Sequence, residues 1–311
     1  MTTALISHSD CLEHVTPPGH PERVDRLVAI NRALSEPRFD PLLRELAPLA
    51  EDALLRLAHP QAYIDRIRAA APQNGFVSLD PDTHMSPGTL DAALRAAGAQ
   101  LRGVELVLSG AASNAFIATR PPGHHAEAER AMGFCLFGNA VLAARKALEI
   151  GEFARVAIVD FDVHHGNGTQ DLVWNDERIL FVSTHQMPLF PGTGAASERG
   201  AHGQIVNIAL PEGSDGRLLA ERMEGVILPA LDAFAPEFLI LSAGFDAHVN
   251  DPLAGLRWRE ADFAQLTRSL CEAADRLCGG RIVSTLEGGY DLDGLSGSLA
   301  AHLMVLMEFG A

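Results

Sequence analysis

Residues 155–168 read RVAIVDFDVHHGNG, and this stretch decides the fold. Its first part, 155–162, is an apolar, β-branched run of the kind that forms a strand buried on both faces. The run ends in alternating ionisable residues, Asp160, Asp162 and His164. In extended chain, residues two apart point the same way, so these three are expected on one face. Working outward, similar runs recur at 115–119 (AFIAT), 179–185 (ILFVSTH), 238–243 (FLILSA) and 281–286 (RIVSTL), with weaker strand signals at 4–7 and 204–210. Helical patterns lie between them at about 22–34, 51–71, 87–109, 137–149, 215–233, 260–277 and 295–308. Pro21 fits the opening turn of the first helix, and Gly110 fits a stop for the 87–109 segment. Strands alternating with helices predict a mostly parallel α/β sheet covered on both faces. No linker, charge block or fixed-period repeat divides the chain, so 1–311 reads as one domain.

Hydrophobic residues make up 47% and charged residues 21% of the 311, enough for a large core. Lys and Arg total 24 against 40 Asp and Glu, a net charge of -16 that argues against nucleic acid as a partner. No apolar run reaches the roughly 18–20 residues of a membrane span, and the start, MTTALISHSD, lacks the pattern of a signal peptide. A soluble cytoplasmic protein is expected. Cys11, Cys135, Cys271 and Cys278 form no C-x-x-C pair, and reduced, packed thiols are expected.

Ligands of open parallel sheets bind outside the carboxyl ends of the strands. After 115–119 comes RPPGHHA, after 155–159 comes DFDVHHGNG, after 238–245 comes Asp246, and after 281–286 comes EGGYD. Four strands therefore end in ionisable or glycine-rich sequence on one rim. Carboxylate and imidazole together suit zinc, whose catalytic sites keep three protein ligands and one open position. Asp162 and His164 supply two, and Asp246 in SAGFDAH is the best-placed third. The same donors accept ferrous iron. A lone Asp at a strand end is more often a turn residue or helix cap. Two His-His pairs and three acids at three strand ends have no comparably simple structural reading.

With these motifs in hand, the chain resembles the histone deacetylase family, especially its class II members and their bacterial relatives. The matching stretches are HPER (20–23), RPPGHHA (120–126), GFCLFGNA (133–140), DFDVHHGNGTQ (160–170), FPGTG (190–194), SAGFDAHVNDPL (242–253) and LEGGYDL (286–292). The resemblance implies an arginase-deacetylase type α/β fold, commonly with eight strands. It implies zinc on Asp162, His164 and Asp246, and His124 and His125 as tandem histidines beside the metal-bound water. Asp160 is to orient His124, Asn167 to partner His125, and Tyr290 to face the substrate carbonyl. Phe134 and Phe190 are to line an acyl-lysine tunnel, with Gly133 offering its carbonyl to the substrate amide. Leu253, Gly288 and Gly289 complete the expected substrate contacts. Arg23 resembles an arginine near an internal acetate exit. Structural potassium is implied at Asp160, Asp162, His164, Ser183 and Thr184.

These residues permit amide hydrolysis: water attacks, His125 relays the proton, and Tyr290 stabilises the developing oxyanion. Acetyl-lysine in proteins or peptides is the expected substrate. Acetylated polyamines or other small amines are the alternative, although Leu253 stands at the DP-x position where polyamine-selective class II relatives tend to carry glutamate. Two further classes compete. A manganese ureohydrolase needs more bridging carboxylates than this chain shows, and a non-catalytic acetyl-lysine binder is opposed by the filled catalytic positions. The sequence leaves the oligomeric state open.

Overall fold

The computed structural model describes residues 2–311. Its strands are β1 (Thr3–Ser7), β2 (Leu43–Leu46), β3 (Val77–Asp80), β4 (Thr83–Met85), β5 (Asn114–Ile117), β6 (Val156–Asp160), β7 (Ile179–Gln186), β8 (Ile205–Leu210), β9 (Leu239–Ala243) and β10 (Ile282–Leu286). Eight of them form one sheet in the order β2-β1-β5-β10-β9-β6-β7-β8, while β3 and β4 make a separate antiparallel hairpin. Every pairing in the large sheet is parallel.

The helices are α1 (Asp25–Ala33), α2 (Asp52–Leu55), α3 (Gln61–Ala70), α4 (Thr89–Leu108), α5 (Asn139–Ile150), α6 (Asn167–Val173), α7 (Gly216–Arg222), α8 (Leu228–Phe234), α9 (Glu260–Cys278) and α10 (Leu292–Gly310). Along β6, Val156 and Ile158 pack with α4 and α5, whereas Ala157 and Val159 pack with α1, α9 and α10. Both sets are completely buried, which is why the run is apolar at every position. The expected sheet, with helices on both faces, is the one observed.

Several boundaries differ from the sequence reading, each for a local reason. The 51–71 segment is two helices, because Pro60 caps α3 in extended conformation and cannot continue α2. α1 starts at Asp25, so Pro21 lies outside its first turn. The 215–233 segment carries one π turn, Met223–Ile227, between α7 and α8. β2 escapes a search for buried runs because it is an edge strand alternating half-buried and exposed residues. β6 ends at Asp160, two residues earlier than its apolar pattern suggests.

The chain lays β6 down away from β5, and β9 and β10 later fill the space between them. The loops leaving these four strands therefore meet at one crevice, the usual place for a ligand in such sheets.

Beneath the crevice, His302 of α10 is fully buried against Phe116, Phe161 and Phe245. Thr267 Oγ1 donates to Phe263 O at 2.6 Å, so it accepts from His302 Nδ1 (2.6 Å), leaving Nε2 to accept from Ser284 Oγ (2.9 Å). Burial holds this neutral imidazole down, from 6.5 to about 3. Below pH 6.5 the unfolded chain takes up a proton that the folded one refuses until about pH 3. Stability from this residue therefore falls with acid, by up to about 1.4 kcal/mol per pH unit. His302→Gln should cost about 1–3 kcal/mol at neutral pH, yet lose stability less steeply between about pH 6 and 4 by that slope. Urea unfolding of both proteins across this range checks it; parallel slopes would show that His302 is not held neutral.

Candidate active site

Beyond Asp160 the backbone leaves the sheet through two successive carboxylate-closed turns. Asp160 Oδ1 accepts the N–H of Asp162 (3.1 Å), and Asp162 Oδ1 accepts that of His164 (2.9 Å). Turns, not strand pleating, aim Asp162 and His164, and the expectation that both share a strand face with Asp160 is corrected accordingly. Asp246 follows β9 and accepts the Val163 N–H at 2.9 Å, tying the two loops together.

Ligand atoms of Asp162, His164 and Asp246 lie within 4.8 Å of one another, all on buried residues. His164 Nδ1 stands 3.1 Å from Asp162 Oδ1 and 3.1 Å from Asp246 Oδ2. A ring nitrogen carries at most one proton, yet two carboxylates converge on this one. Burial and the neighbouring Asp162 push the Asp246 carboxyl above its ordinary range. For Asp162 burial acts the same way, but His124 and His164 outweigh it and hold the group low. A buried set of two carboxylate oxygens and one imidazole nitrogen, with negative charge to offset, fits a divalent ion of the zinc type. Gly288 is required here: its N–H donates to Asp162 Oδ2 (2.8 Å), and a Cβ at this position would collide with the carboxylates of both Asp162 and Asp246.

The tandem histidines follow β5. Glu287, fully buried at the end of β10, accepts the N–H groups of Gly123 (2.7 Å) and His124 (3.1 Å) on Oε2, and the Ser242 hydroxyl (3.1 Å) on Oε1. His124 Nδ1 lies 3.0 Å from Asp160 Oδ2. Burial works against charging His124, but Asp162 and Asp160 prevail and hold its pKa well above the ordinary value. His125 is the opposite case. Burial, then His124 and His164, hold it well below. Its Nδ1 is 2.7 Å from Asn167 Oδ1, while Asn167 Nδ2 donates to Glu127 Oε1 at 2.8 Å. An ionised carboxylate only accepts, so Glu127 fixes the Asn167 amide and obliges His125 to carry its proton on Nδ1. Nε2 of His125 is thereby left as a base.

A pocket of about 250 Å³ opens over this floor, lined by Asp82, His125, Gly133, Phe134, His164, Leu189, Phe190, Leu253 and Tyr290. Phe134 sits edge-on to Tyr290, with centroids 5.9 Å apart, and Phe190 edge-on to His125 at 5.2 Å. Phe134 takes φ +70, a conformation costly for a bulky residue. It is held there by its N–H to Thr83 Oγ1 (3.0 Å), while the adjacent Gly133 N–H goes to Asp82 Oδ1 (3.2 Å). The β3–β4 hairpin thus sets one wall.

Most residues singled out in the sequence converge here: Asp160, Asp162, His164, Asp246, His124, His125, Asn167, Tyr290, Gly133, Phe134, Phe190 and Leu253. Three do not line the pocket. Gly288 and Gly289 lie behind the pocket wall, Gly288 against the carboxylates and Gly289 with its carbonyl on Arg26 Nε (2.7 Å). Arg23 is half exposed and pairs with Asp25 at 3.2 Å on the surface. The interior guanidiniums are Arg26 and Arg120, both on Glu22. Arg26 also sits 5.0 Å over the Tyr290 ring. Glu127, Glu287, Leu189 and Asp82 were not anticipated. Around the remaining sequence candidates, Ser183 lies beside Asp160 in the sheet register, and Thr184 Oγ1 is buried without a hydrogen-bond partner among the described residues.

Candidate ligands at the foot of a pocket, with acid–base groups beside them, mark this crevice as the candidate active site. Its chemistry is that of a known family. Residues 20–306 match the family model described as "Histone deacetylase domain", and the chain belongs to the histone deacetylase family. It is 38% identical to the "Probable deacetylase" of Archaeoglobus fulgidus over 94% of this chain and 83% of that one. It is also 38% identical to the "Histone deacetylase-like amidohydrolase" of Pseudomonas aeruginosa, over 80% of this chain and 66% of that one. The crystal structure of the HDA15 HD domain matches with a TM-score of 0.93 at 34% identity, covering 99% of this chain and 89% of that chain. The sheet is therefore of the arginase-deacetylase type.

Proposed function

We propose that this chain is a zinc-dependent deacetylase that hydrolyses the amide of acetyl-lysine in proteins or peptides. The observation that carries this reading is the apolar pocket between Phe134, Leu189, Phe190 and Leu253, which ends on His125, His164 and Tyr290. Its walls suit an uncharged alkyl stem and exclude water from the reacting amide.

Asp162, His164 and Asp246 would hold zinc, or ferrous iron on the same donors, and the ion would polarise the carbonyl and lower the pKa of water at this place. His125 Nε2 takes a proton from the attacking water and returns it to the departing amine, so that water and amide become acetate and amine. Asn167 keeps the other nitrogen of that ring protonated. His124, held by Asp160 through Nδ1, packs beside His125 with ring centroids 4.0 Å apart. The Tyr290 phenol donates to the carbonyl oxygen as it gains negative charge. Gly133 offers its carbonyl to the substrate N–H. A structural potassium ion at Asp160, Asp162, His164, Ser183 and Thr184 is part of the proposal and rests on the family resemblance.

Lysine rather than polyamine is favoured by Leu253, a partly exposed apolar residue at the pocket, while the acid in the lining, Asp82, already accepts the Gly133 N–H and the Thr83 hydroxyl. One purified preparation assayed on acetyl-lysine peptides and on acetylated putrescine, cadaverine and spermidine tests this. The peptides should lead in kcat/KM by at least about tenfold, a difference of about 1.4 kcal/mol. Preference for the polyamines would overturn the substrate assignment. Zinc-loaded protein that cleaves none of them would point to a binding protein.

A further inference from the structure

Tyr290 is delivered by a chain segment with little stiffness of its own. Gly288 and Gly289 precede it, and Gly289 adopts φ +125, which L side chains rarely reach. Gly288 is fixed by its N–H on Asp162 and its carbonyl on the Phe245 N–H, and two further groups hold the chain between it and the phenol. Arg26 takes the Gly289 carbonyl at 2.7 Å from one side. From the other, Asp251 Oδ2 accepts the N–H of Tyr290 itself at 2.7 Å.

Asp251 does a second thing with its other oxygen. Oδ1 accepts the N–H of Leu253 at 3.0 Å, closing the turn that presents Leu253 to the pocket. Only 7% of the residue is exposed, and it forms no ion pair among the described residues. Keeping a carboxylate buried on backbone amides alone costs desolvation free energy. A turn at Leu253 by itself needs one acceptor, which a neutral Asn or Ser supplies. Two acceptor oxygens aimed at two different loops call for the carboxylate.

We infer that Asp251 is a positioning residue that couples the pocket turn at Leu253 to the placement of the Tyr290 phenol, so that wall and oxyanion donor move as one unit. The inference rests on the proposed role of Tyr290. Asp251 touches neither substrate nor metal, and its effect on the reaction passes through the tyrosine. In Asp251→Asn one oxygen becomes an NH₂ group that cannot accept, so one of the two amides loses its partner. Misplacing a reacting group by about 1 Å can cost about 10²-fold in rate.

A double-mutant cycle tests it. Asp251→Asn and Asp251→Ser are each made in the wild type and in Tyr290→Phe, and kcat, KM, melting temperature and zinc content are measured on the zinc-loaded protein with an acetyl-lysine peptide. The expected result is a fall in kcat of about 10- to 100-fold in the wild-type background, with less than about threefold in the Tyr290→Phe background. Zinc content should stay unchanged. Equal losses in both backgrounds would show that Asp251 acts independently of Tyr290 and would overturn the inference, as would unfolding of both variants or no loss in either. If Tyr290→Phe alone leaves kcat unchanged, the role of Tyr290 fails first and the inference with it. If Tyr290→Phe loses activity but the cycle shows no coupling, only the inference fails.

Discussion

Asp246→Asn is expected to lower kcat/KM by about 10³-fold or more and to leave the protein without tightly bound metal. Asn has nearly the same shape, and its carbonyl oxygen can still accept the Val163 N–H that Asp246 takes at 2.9 Å. The loop geometry should therefore survive while an anionic ligand is lost. The stability pattern separates this from general damage. Burial and Asp162 both disfavour ionised Asp246 in the protein without metal, so neutralising the residue relieves a conflict there. Metal-free variant should be no less stable than metal-free wild type. Metal-saturated wild type should gain about 4 kcal/mol at about a thousandfold excess of metal over Kd. A chelator should thus lower the melting temperature of the wild type and leave that of the variant unmoved. Variant protein that retains full metal would remove Asp246 from the ligand set.

Tyr290→Phe should lower kcat by about 10²–10³-fold, the usual loss for one oxyanion donor, with KM and metal content little changed. Phe keeps the ring that lies under Arg26 at 5.0 Å and edge-on to Phe134 at 5.9 Å, so packing is retained and only the donor is removed. A change confined to kcat is the signature of a contact made in the transition state alone. Metal loss in this variant would show instead that the tyrosine supports the ligand cluster.

The sheet was legible because its central strands are buried on both faces and leave unbroken apolar runs. β6 is the clearest case. β2 was not legible, because an edge strand with Arg44 and Glu45 has no such run. The pair of turns after Asp160 was hidden for a different reason. Asp-x-Asp-x-His alternates as a strand would, and only the carboxylate-to-amide bonds reveal that the strand has ended. Asp162, His164, Asp246 and the tandem histidines could be found because each stands at a strand end, where ligands gather. Glu127, Glu287 and Asp251 could not be found by spacing. They act on backbone amides or on another side chain's polar group; Gly123, His124 and Ser242 on Glu287, and Tyr290 on Asp251, lie 39 to 164 residues away, and only Leu253 on Asp251 is close in sequence. Arg23 and Arg26 are three residues apart, and which one faces inward depends on how α1 packs. Arg26 falls on the buried side with Leu27 and Ile30.

The proposed chemistry requires a cation between Asp162, His164 and Asp246. Diffraction from zinc-soaked crystals, recorded on both sides of the zinc absorption edge, locates it directly. A single anomalous peak should lie about 2.0–2.2 Å from a carboxylate oxygen of Asp162, a ring nitrogen of His164 and a carboxylate oxygen of Asp246. No peak there, with the His164 ring hydrogen-bonded to the two acids instead, would contradict it.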